Sequence, residues 1–208
     1  MIWKIHLNKN SLWEYRKNML IYWYCIIEDF IDNDFYACIE TELTKNTIHV
    51  AQTHINKTKK TKDIYVAGEN LFKLHNFFQS NAFLNFLSLI YNTKVDRKNY
   101  IDFLEVFPEY HPKWWIVGQL YDEWCFFDWH TDGHHNDEKL GAFTYYLYND
   151  DIDWKKDFWW CLDLGEKIII PKRNSLVLIK SDLKHRVTKV KAHKKRLSLQ
   201  SVLINNPN

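Results

Sequence analysis

One stretch near the middle of the chain places a histidine and an aspartate two residues apart: Phe126-Phe127-Asp128-Trp129-His130-Thr131-Asp132-Gly133. On a strand, residues two apart face the same side, so His130 and Asp132 would direct an imidazole and a carboxylate to one point. A further histidine, His185, would complete a set of two histidines and one carboxylate. That set suits non-haem iron(II), because it fills one face of the coordination sphere and leaves the other positions open.

The H-x-D pattern is weak evidence by itself. A chain of 208 residues with 10 His and 16 Asp contains about one such pattern by chance. A second one is present, His135-Asn136-Asp137, and each pair has an alternative interpretation as a surface histidine and aspartate in a loop. The surrounding sequence must therefore decide between a metal site and a loop.

The second half of the chain is rich in short runs with the residue types and alternation of β-strands. These runs cover residues 116–121, 142–148, 167–170, 175–180, 185–190 and 196–204. Turn-like clusters separate them, such as Asn149-Asp150-Asp151 and Pro171-Lys172-Arg173-Asn174. Many short strands after a helical segment predict an α+β fold, in which a β-sandwich or barrel is backed by helices.

The first half of the chain is predicted to be mainly helical. Ser11 precedes Glu14 at the capping-box spacing, and apolar residues follow to about Phe30. A second helix is predicted over residues 69–91, where apolar side chains approximate a helical stripe.

Short strands are predicted between these helices, over residues 47–50 and 63–66. The length suits one domain with a good core. We therefore expect a single domain over residues 1–208, with a mainly helical support region at 1–95 and a β core carrying the metal site at 96–208.

The last predicted strand places an arginine on a polar face. In Arg196-Leu197-Ser198-Leu199-Gln200-Ser201-Val202-Leu203, the residues Arg196, Ser198 and Gln200 share one side. An arginine that points into a barrel is costly without a partner, and a carboxylate co-substrate would supply one through a bidentate ion pair. The alternative is an arginine at the strand entrance that points to solvent.

Taken in order, these features resemble one known family. The H-x-D of residues 130–132 comes first, followed by Tyr145-Tyr146-Leu147-Tyr148-Asn149, Pro171, His185 and finally Arg196-x-Ser198. This order is similar to that of the iron(II)- and 2-oxoglutarate-dependent dioxygenase superfamily, and within it to the prolyl-hydroxylase-like branch. The resemblance covers about residues 117–203. It implies a double-stranded β-helix core (jelly-roll, cupin-like) backed by the N-terminal helices.

The resemblance implies the iron ligands and the cofactors. His130, Asp132 and His185 match the metal-binding, catalytic positions, and Fe(II), 2-oxoglutarate as co-substrate and O2 are the implied cofactors. Tyr121 lies nine residues before His130, near where that branch often has a tyrosine. This spacing favours the 130/132 pair over 135/137, because the second pair falls in the loop expected after the iron strand.

The resemblance also implies the co-substrate site. Arg196 matches the basic residue that binds the distal carboxylate of 2-oxoglutarate, with Ser198 beside it in the R-x-S position. Tyr121 and Tyr146 match positions from which a hydroxyl can reach the co-substrate. Ordinary barrel packing is the alternative for both tyrosines.

Two positions depart from the family pattern. Where the family usually has a Gly-Gly pair after the Tyr-Leu-Asn strand, this chain has Trp159-Trp160. Trp124 stands where the tyrosine motif often has glycine. Glycines let backbones approach closely or bulge, so both departures affect what can be inferred about the substrate.

The resemblance predicts hydroxylation of an unactivated C–H, on an amino-acid residue of a peptide or protein. Related halogenases replace the carboxylate ligand with a small residue, and Asp132 retains it. The alternatives are a hydroxylase of free amino acids or small molecules, and a non-catalytic barrel acting as a binding module. A nucleic-acid demethylase of this fold usually shows a second arginine on the last strand, but no arginine follows Arg196.

Composition narrows the class of partner. A net charge of +2 argues against binding dominated by phosphates, and the basic run 57–62 is interpreted as a solvated loop. The four cysteines form no C-x-x-C pair, as expected for reduced thiols in a cytosolic protein. No secretory signal or membrane span is evident. We therefore expect a cytoplasmic protein without membrane or nucleic-acid partners.

Overall fold

The computed structural model describes residues 9–95, 115–122, 124–132, 139–149, 161–189 and 195–204. The helices in these ranges are α1 (Lys9–Tyr22), α2 (Asn33–Lys45), α3 (Glu69–Phe78) and α4 (Asn81–Tyr91). The strands are β1 (Tyr24–Ile27), β2 (His49–Ile55), β3 (Lys59–Ala67), β4 (Trp115–Tyr121), β5 (Phe126–His130), β6 (Lys139–Asn149), β7 (Leu162–Asp163), β8 (Ile168–Ile169), β9 (Ser175–Lys180), β10 (His185–Val187) and β11 (Arg196–Ile204).

The described strands form one antiparallel sheet that curls on itself. Their order is β1-β9-β6-β11-β4-β3-β5-β10-β7-β8, and β2 pairs with β3. Side chains from the two ends of this order pack together: Tyr146, Val177 and Ile179 of β6 and β9 share a cluster with Leu162 and Ile169 of β7 and β8. The sheet therefore encloses an interior, and the predicted double-stranded β-helix is confirmed.

The main hydrophobic core lies between the helices and the outer face of β4, β6, β9 and β11. Leu197, Leu199 and Leu203 of β11 belong to this core, whereas Arg196 and Ser198 alternate with them and face the other way. The same alternation separates Tyr145, in the main core, from Tyr146 in the enclosed interior. The predicted alternation on the last strand therefore decides which side chains enter the β-helix.

Local interactions fix the helices on the sheet. Asp32 caps α2, and its carboxylate accepts hydrogen bonds from the first backbone amides of the helix. Phe35, Ile39 and Leu43 of α2 are buried at helical spacing. The carboxylate of Glu42 in turn accepts hydrogen bonds from the first amides of α3. Helices α2 and α3 are thus held at their starts as well as along their apolar faces.

The predicted helices differ from the structure in three ways. The first helix ends at Tyr22, not near Phe30, because Trp23 has a φ of 66° and residues 24–27 pair with β9 as β1. Helix α2, which the sequence pattern did not indicate, follows. The second predicted helix is two helices, since Ser80 caps a new one with its side chain on the amide of Phe83.

The predicted strands of the second half are largely confirmed, and β9 and β11 have the expected bounds. In the first half, β2 and β3 are longer than predicted, so the basic run 57–62 lies partly on β3. The division of a single domain at residue 95 stays a prediction, although three strands before it join the sheet. None of the described helices is long and apolar enough to span a membrane.

Candidate metal centre

A β-bulge on β5 sets the direction of His130. His130 pairs directly with His185 of β10, and Phe127 pairs with Val187. Two residues therefore separate the paired positions on β5 and only one separates them on β10. Such a bulge adds a residue and re-aims the side chain that follows. Phe127 and His130, although three residues apart, consequently share one face of the sheet.

Three side chains of the kinds that bind metals converge at this point. One ligand atom each from His130, Asp132 and His185 lies within 4.8 Å of the others. The Nε2 atoms of His130 and His185 are each 3.9 Å from a carboxylate oxygen of Asp132. The backbone amide of Asp132 donates to the carbonyl of Ser181, which ties this residue to the end of β9.

Backbone carbonyls fix both imidazoles. His130 Nδ1 lies 2.7 Å from the carbonyl oxygen of Asp128, and His185 Nδ1 lies 2.8 Å from that of Leu183. A carbonyl can only accept, so each Nδ1 carries a proton, and Nε2 is the atom that offers a lone pair when the ring is neutral. Burial, and next the neighbouring His185, lowers the pKa of His130 to about 4. At neutral pH the His130 ring is therefore neutral, as a metal ligand must be.

An aromatic ring supports the His130 imidazole from the side. The rings of Phe127 and His130 stack with centroids 3.6 Å apart and planes at 14°. Phe127 also packs in a small buried cluster with Tyr121, Cys125 and Val187. This cluster connects His130 to β4, which carries Tyr121.

Arg196 is buried inside the β-helix at the start of β11, with 1% of its surface exposed. Its guanidinium carbon lies 5.0 Å from the ring centroid of Tyr121 and 4.5 Å from that of Tyr146, and it hydrogen-bonds to the Tyr146 hydroxyl. Burial lowers the pKa of Arg196, but an arginine keeps its charge in proteins. The guanidinium is thus enclosed between two tyrosine rings inside the barrel.

The other predicted co-substrate residues surround Arg196. Arg196 pairs with Tyr121 in the β11–β4 register, and Ser198 pairs with Tyr146. Burial raises the pKa of both tyrosines, which keeps their hydroxyls protonated. Gln200 hydrogen-bonds to Tyr121 and donates to the Ser198 hydroxyl. The structure thus brings these residues together in one polar group inside the barrel.

The donor set suits iron(II) and a dicarboxylic acid. Two neutral imidazoles and one carboxylate form the ligand set of non-haem iron oxygenases, with positions left for other ligands. A buried guanidinium flanked by tyrosine hydroxyls suits a carboxylate. The chemistry of both groups therefore fits the cofactors that the sequence resemblance implies.

Some site features were not predicted, and some predicted ones lie outside the described residues. The stacking of Phe127 on His130 depends on the bulge, for which the sequence has no clear signal. Cys161 is buried close enough to Arg196 and Tyr146 to influence the pKa of both, and only its apolar surroundings indicated burial. The pair His135/Asp137 and the pair Trp159-Trp160 lie outside the described residues. Trp124 has a φ of 64°, a conformation that favours glycine.

Fold and donor set together define the class of non-haem iron oxygenases built on a double-stranded β-helix. Residues 118–202 match the model of the 2OG-Fe(II) oxygenase superfamily. This match over part of the chain, together with the fold and the donor set, supports a 2-oxoglutarate-dependent oxygenase with a prolyl-hydroxylase-like fold. The cofactors of this family are Fe(II), 2-oxoglutarate and O2. No curated protein sequence matches the chain.

Solved structures share the fold over nearly the whole chain. A Pseudomonas putida prolyl-4-hydroxylase is 15% identical, with 94% of this chain and 99% of that chain covered and a TM-score of 0.63. A Burkholderia pseudomallei oxidoreductase of the 2OG-Fe(II) oxygenase family is 12% identical, with 97% and 94% covered and a TM-score of 0.62. A Trichoplax adhaerens prolyl hydroxylase, solved with a hypoxia inducible factor peptide fragment, is 14% identical, with 96% and 94% covered and a TM-score of 0.62. At these identities the likeness concerns the fold alone.

Proposed function

We propose that this protein hydroxylates an unactivated C–H on an amino-acid residue of a peptide or protein, and releases succinate and carbon dioxide. The observation that carries the proposal is the convergence of His130, Asp132 and His185 within 4.8 Å. The burial of Arg196 inside the same barrel adds support. The peptide bound to the Trichoplax adhaerens relative favours a peptidyl substrate over a free amino acid.

In this proposal His130, Asp132 and His185 hold Fe(II). The two Nε2 lone pairs and one carboxylate bind the metal, while the carbonyls of Asp128 and Leu183 keep both rings oriented. Bound Fe(II) with 2-oxoglutarate and O2 supplies the oxidation, in which one oxygen atom enters succinate and the other enters the target C–H bond. The retained carboxylate of Asp132 favours hydroxylation over halogenation.

Arg196 orients the co-substrate. Its guanidinium binds the distal carboxylate of 2-oxoglutarate as a bidentate pair, and Ser198, Tyr121 and Tyr146 hydrogen-bond to the same end. Raised pKa values of both tyrosines keep their hydroxyls able to donate. An apolar cluster packs beside this site, formed by Phe127, Val187 and Tyr121. Because it excludes water, it limits side reactions of the oxidant.

Succinate release across a substrate panel tests this function. The panel contains proline-rich and mixed-sequence peptides, free amino acids and methylated oligonucleotides, each with Fe(II), 2-oxoglutarate and O2. We expect peptides to stimulate succinate release and to gain one oxygen atom in mass. Stimulation by free amino acids alone, or by oligonucleotides, would mean that the substrate is a free amino acid or a nucleic acid and not a peptide.

A binding module of the same fold would behave differently from an enzyme. It would form no Fe(II)-dependent charge-transfer band with 2-oxoglutarate under anaerobic conditions.

The four cysteines, Cys25, Cys38, Cys125 and Cys161, are free thiols, which supports the further proposal of a reducing, cytoplasmic location. Fractionation of the native host cells would test that location.

A further inference from the structure

Three side chains form a stack on the face of β5, β10 and β7 that is opposite the metal donors. The Nε and Nη2 atoms of Arg186 each lie 2.8 Å from the Oδ2 atom of Asp163. The guanidinium carbon of Arg186 lies 4.6 Å from the ring centroid of Trp129, within cation–π range. The stack therefore connects all three strands through one guanidinium.

The base of this stack is fixed. Asp163 is 6% exposed, and Arg186 is its direct partner in the β10–β7 register. The Oδ1 atom of Asp163 accepts from the backbone amide of Gly165, and the Trp129 indole lies against the same Gly165. With both oxygens engaged, Asp163 holds Arg186 in one orientation under the indole.

The stack is adjacent in sequence to the metal donors. Trp129 immediately precedes His130, and Arg186 immediately follows His185. Alternation therefore places Trp129 and Arg186 on the face opposite the two histidines. Trp129 is also one of the two bulge residues of β5, and the other, Asp128, provides the carbonyl that binds His130 Nδ1. A contact that fixes Trp129 consequently fixes the bulge backbone, which sets the orientation of the His130 side chain.

The three strands that the stack connects are short. β5, β10 and β7 contain five, three and two residues, so their ladders contain few hydrogen bonds. A cavity of about 750 Å³ borders the face, lined by Asp128, Asp163 and Arg186 among others. The side chains of the stack therefore add contacts between strands whose ladders are short.

We propose that Trp129, Arg186 and Asp163 form a positioning stack that holds the β5 bulge against β10 and thereby sets the affinity of the metal centre for Fe(II). The inference rests on the proposed function, because it takes His130 and His185 as iron ligands. A slip of one residue would move a side chain to the other face. A smaller displacement of the bulge would separate His130 Nε2 from the other two donors.

Anaerobic Fe(II) titration in saturating 2-oxoglutarate, followed by the charge-transfer absorbance, tests the proposal. We expect Arg186→Gln and Trp129→Leu to raise the apparent Kd for Fe(II) about tenfold or more, the usual effect of removing groups that support metal ligands. The double variant should be no worse than the more severe single variant, because both act through one contact. Arg186→Lys keeps the charge without the planar fork and should recover part of the affinity.

Two control variants separate positioning from general stability. Arg173→Gln removes an ion pair between the segment before β9 and Glu40 of α2, and should lower the melting temperature of the metal-free protein without changing the Kd. Lys184→Gln removes another cation near Trp129 that makes no ion pair with Asp163, and should leave the Kd unchanged. All titrations are made well below the melting temperature of each metal-free variant.

The outcomes distinguish the inference from the function on which it rests. If the wild-type protein shows no Fe(II)-dependent band, the proposed function fails and the inference fails with it. If the wild type binds Fe(II) and Arg186→Gln and Trp129→Leu bind it equally well, the inference alone is overturned. It is also overturned if the loss of affinity follows the melting temperature across all variants, including Arg173→Gln.

Discussion

The imidazole of His130 faces that of His185 across the β5–β10 ladder, with ring centroids 4.2 Å apart and planes at 57°. The two residues are direct partners in the register, so the sheet itself produces their proximity. Their Nδ1 atoms donate to carbonyls, and both Nε2 atoms lie 3.9 Å from Asp132. A metal ion at this point would link β5 to β10 by bonds stronger than any ladder hydrogen bond.

Metal binding should therefore stabilise the fold. We expect anaerobic Fe(II) with 2-oxoglutarate to raise the melting temperature, because a ligand at a hundred times its Kd stabilises the folded state by about 2.7 kcal/mol. His185→Ala should lose this shift, and a chelator should reverse it in the wild type. His54→Ala, on β2, should keep the shift, and an unchanged shift in His185→Ala would place the metal elsewhere.

Arg196 should govern the requirement for 2-oxoglutarate. We expect Arg196→Gln to raise the half-saturating concentration of 2-oxoglutarate about tenfold or more, because the variant loses a charge-assisted bidentate pair. Titration of the charge-transfer band with 2-oxoglutarate measures this. Arg16→Gln, at an exposed hydrogen bond to Asn92, serves as the control. An unaltered requirement in Arg196→Gln would mean that another residue anchors the acid.

Trp124 and Asn174, two of the residues with left-handed backbone, should respond oppositely to replacement by glycine. Trp124 has a φ of 64° and is 56% exposed, so Trp124→Gly should raise the free energy of unfolding by about 1 kcal/mol through relief of backbone strain. Asn174 has a φ of 54°, but its side chain makes hydrogen bonds to Ile31, Tyr145 and Asn33. Asn174→Gly should therefore lower that free energy by about 2 kcal/mol or more.

Chemical denaturation of the two variants measures the difference. A stabilised Asn174→Gly would show that the hydrogen bonds contribute less than the backbone strain. A destabilised Trp124→Gly would show that the exposed indole makes stabilising contacts.

The strands of the β core were predictable where the alternation of apolar and polar residues agrees with the strand pairing. On β11, apolar side chains at Leu197 and Leu199 face the helices, and this alternation puts Arg196 on the opposite face, which the structure shows to be buried. β9 is a continuous apolar run between turn residues, so its bounds were also predictable. The N-terminal elements were less predictable, because residues 24–27 are as apolar as the helix before them and only pairing with β9 makes them a strand.

The positions around the metal donors were predictable in identity but not in orientation. The spacing of His130 and Asp132 indicated a shared face, yet the bulge at Asp128 and Trp129 is what aligns Phe127 with His130. A bulge depends on the partner strand, and its signal is absent from the sequence of β5 itself. The stack of Trp129 on Arg186 is likewise a tertiary contact between strands distant in sequence.

Asp132 offers the most direct test of the central claim that this chain holds Fe(II) through His130, Asp132 and His185. The measurement is the anaerobic charge-transfer band of the wild type, Asp132→Ala and Asp137→Ala, the last altering the second H-x-D of the sequence. The account predicts a band in the wild type and in Asp137→Ala, and none in Asp132→Ala. A band of wild-type intensity in Asp132→Ala would contradict it.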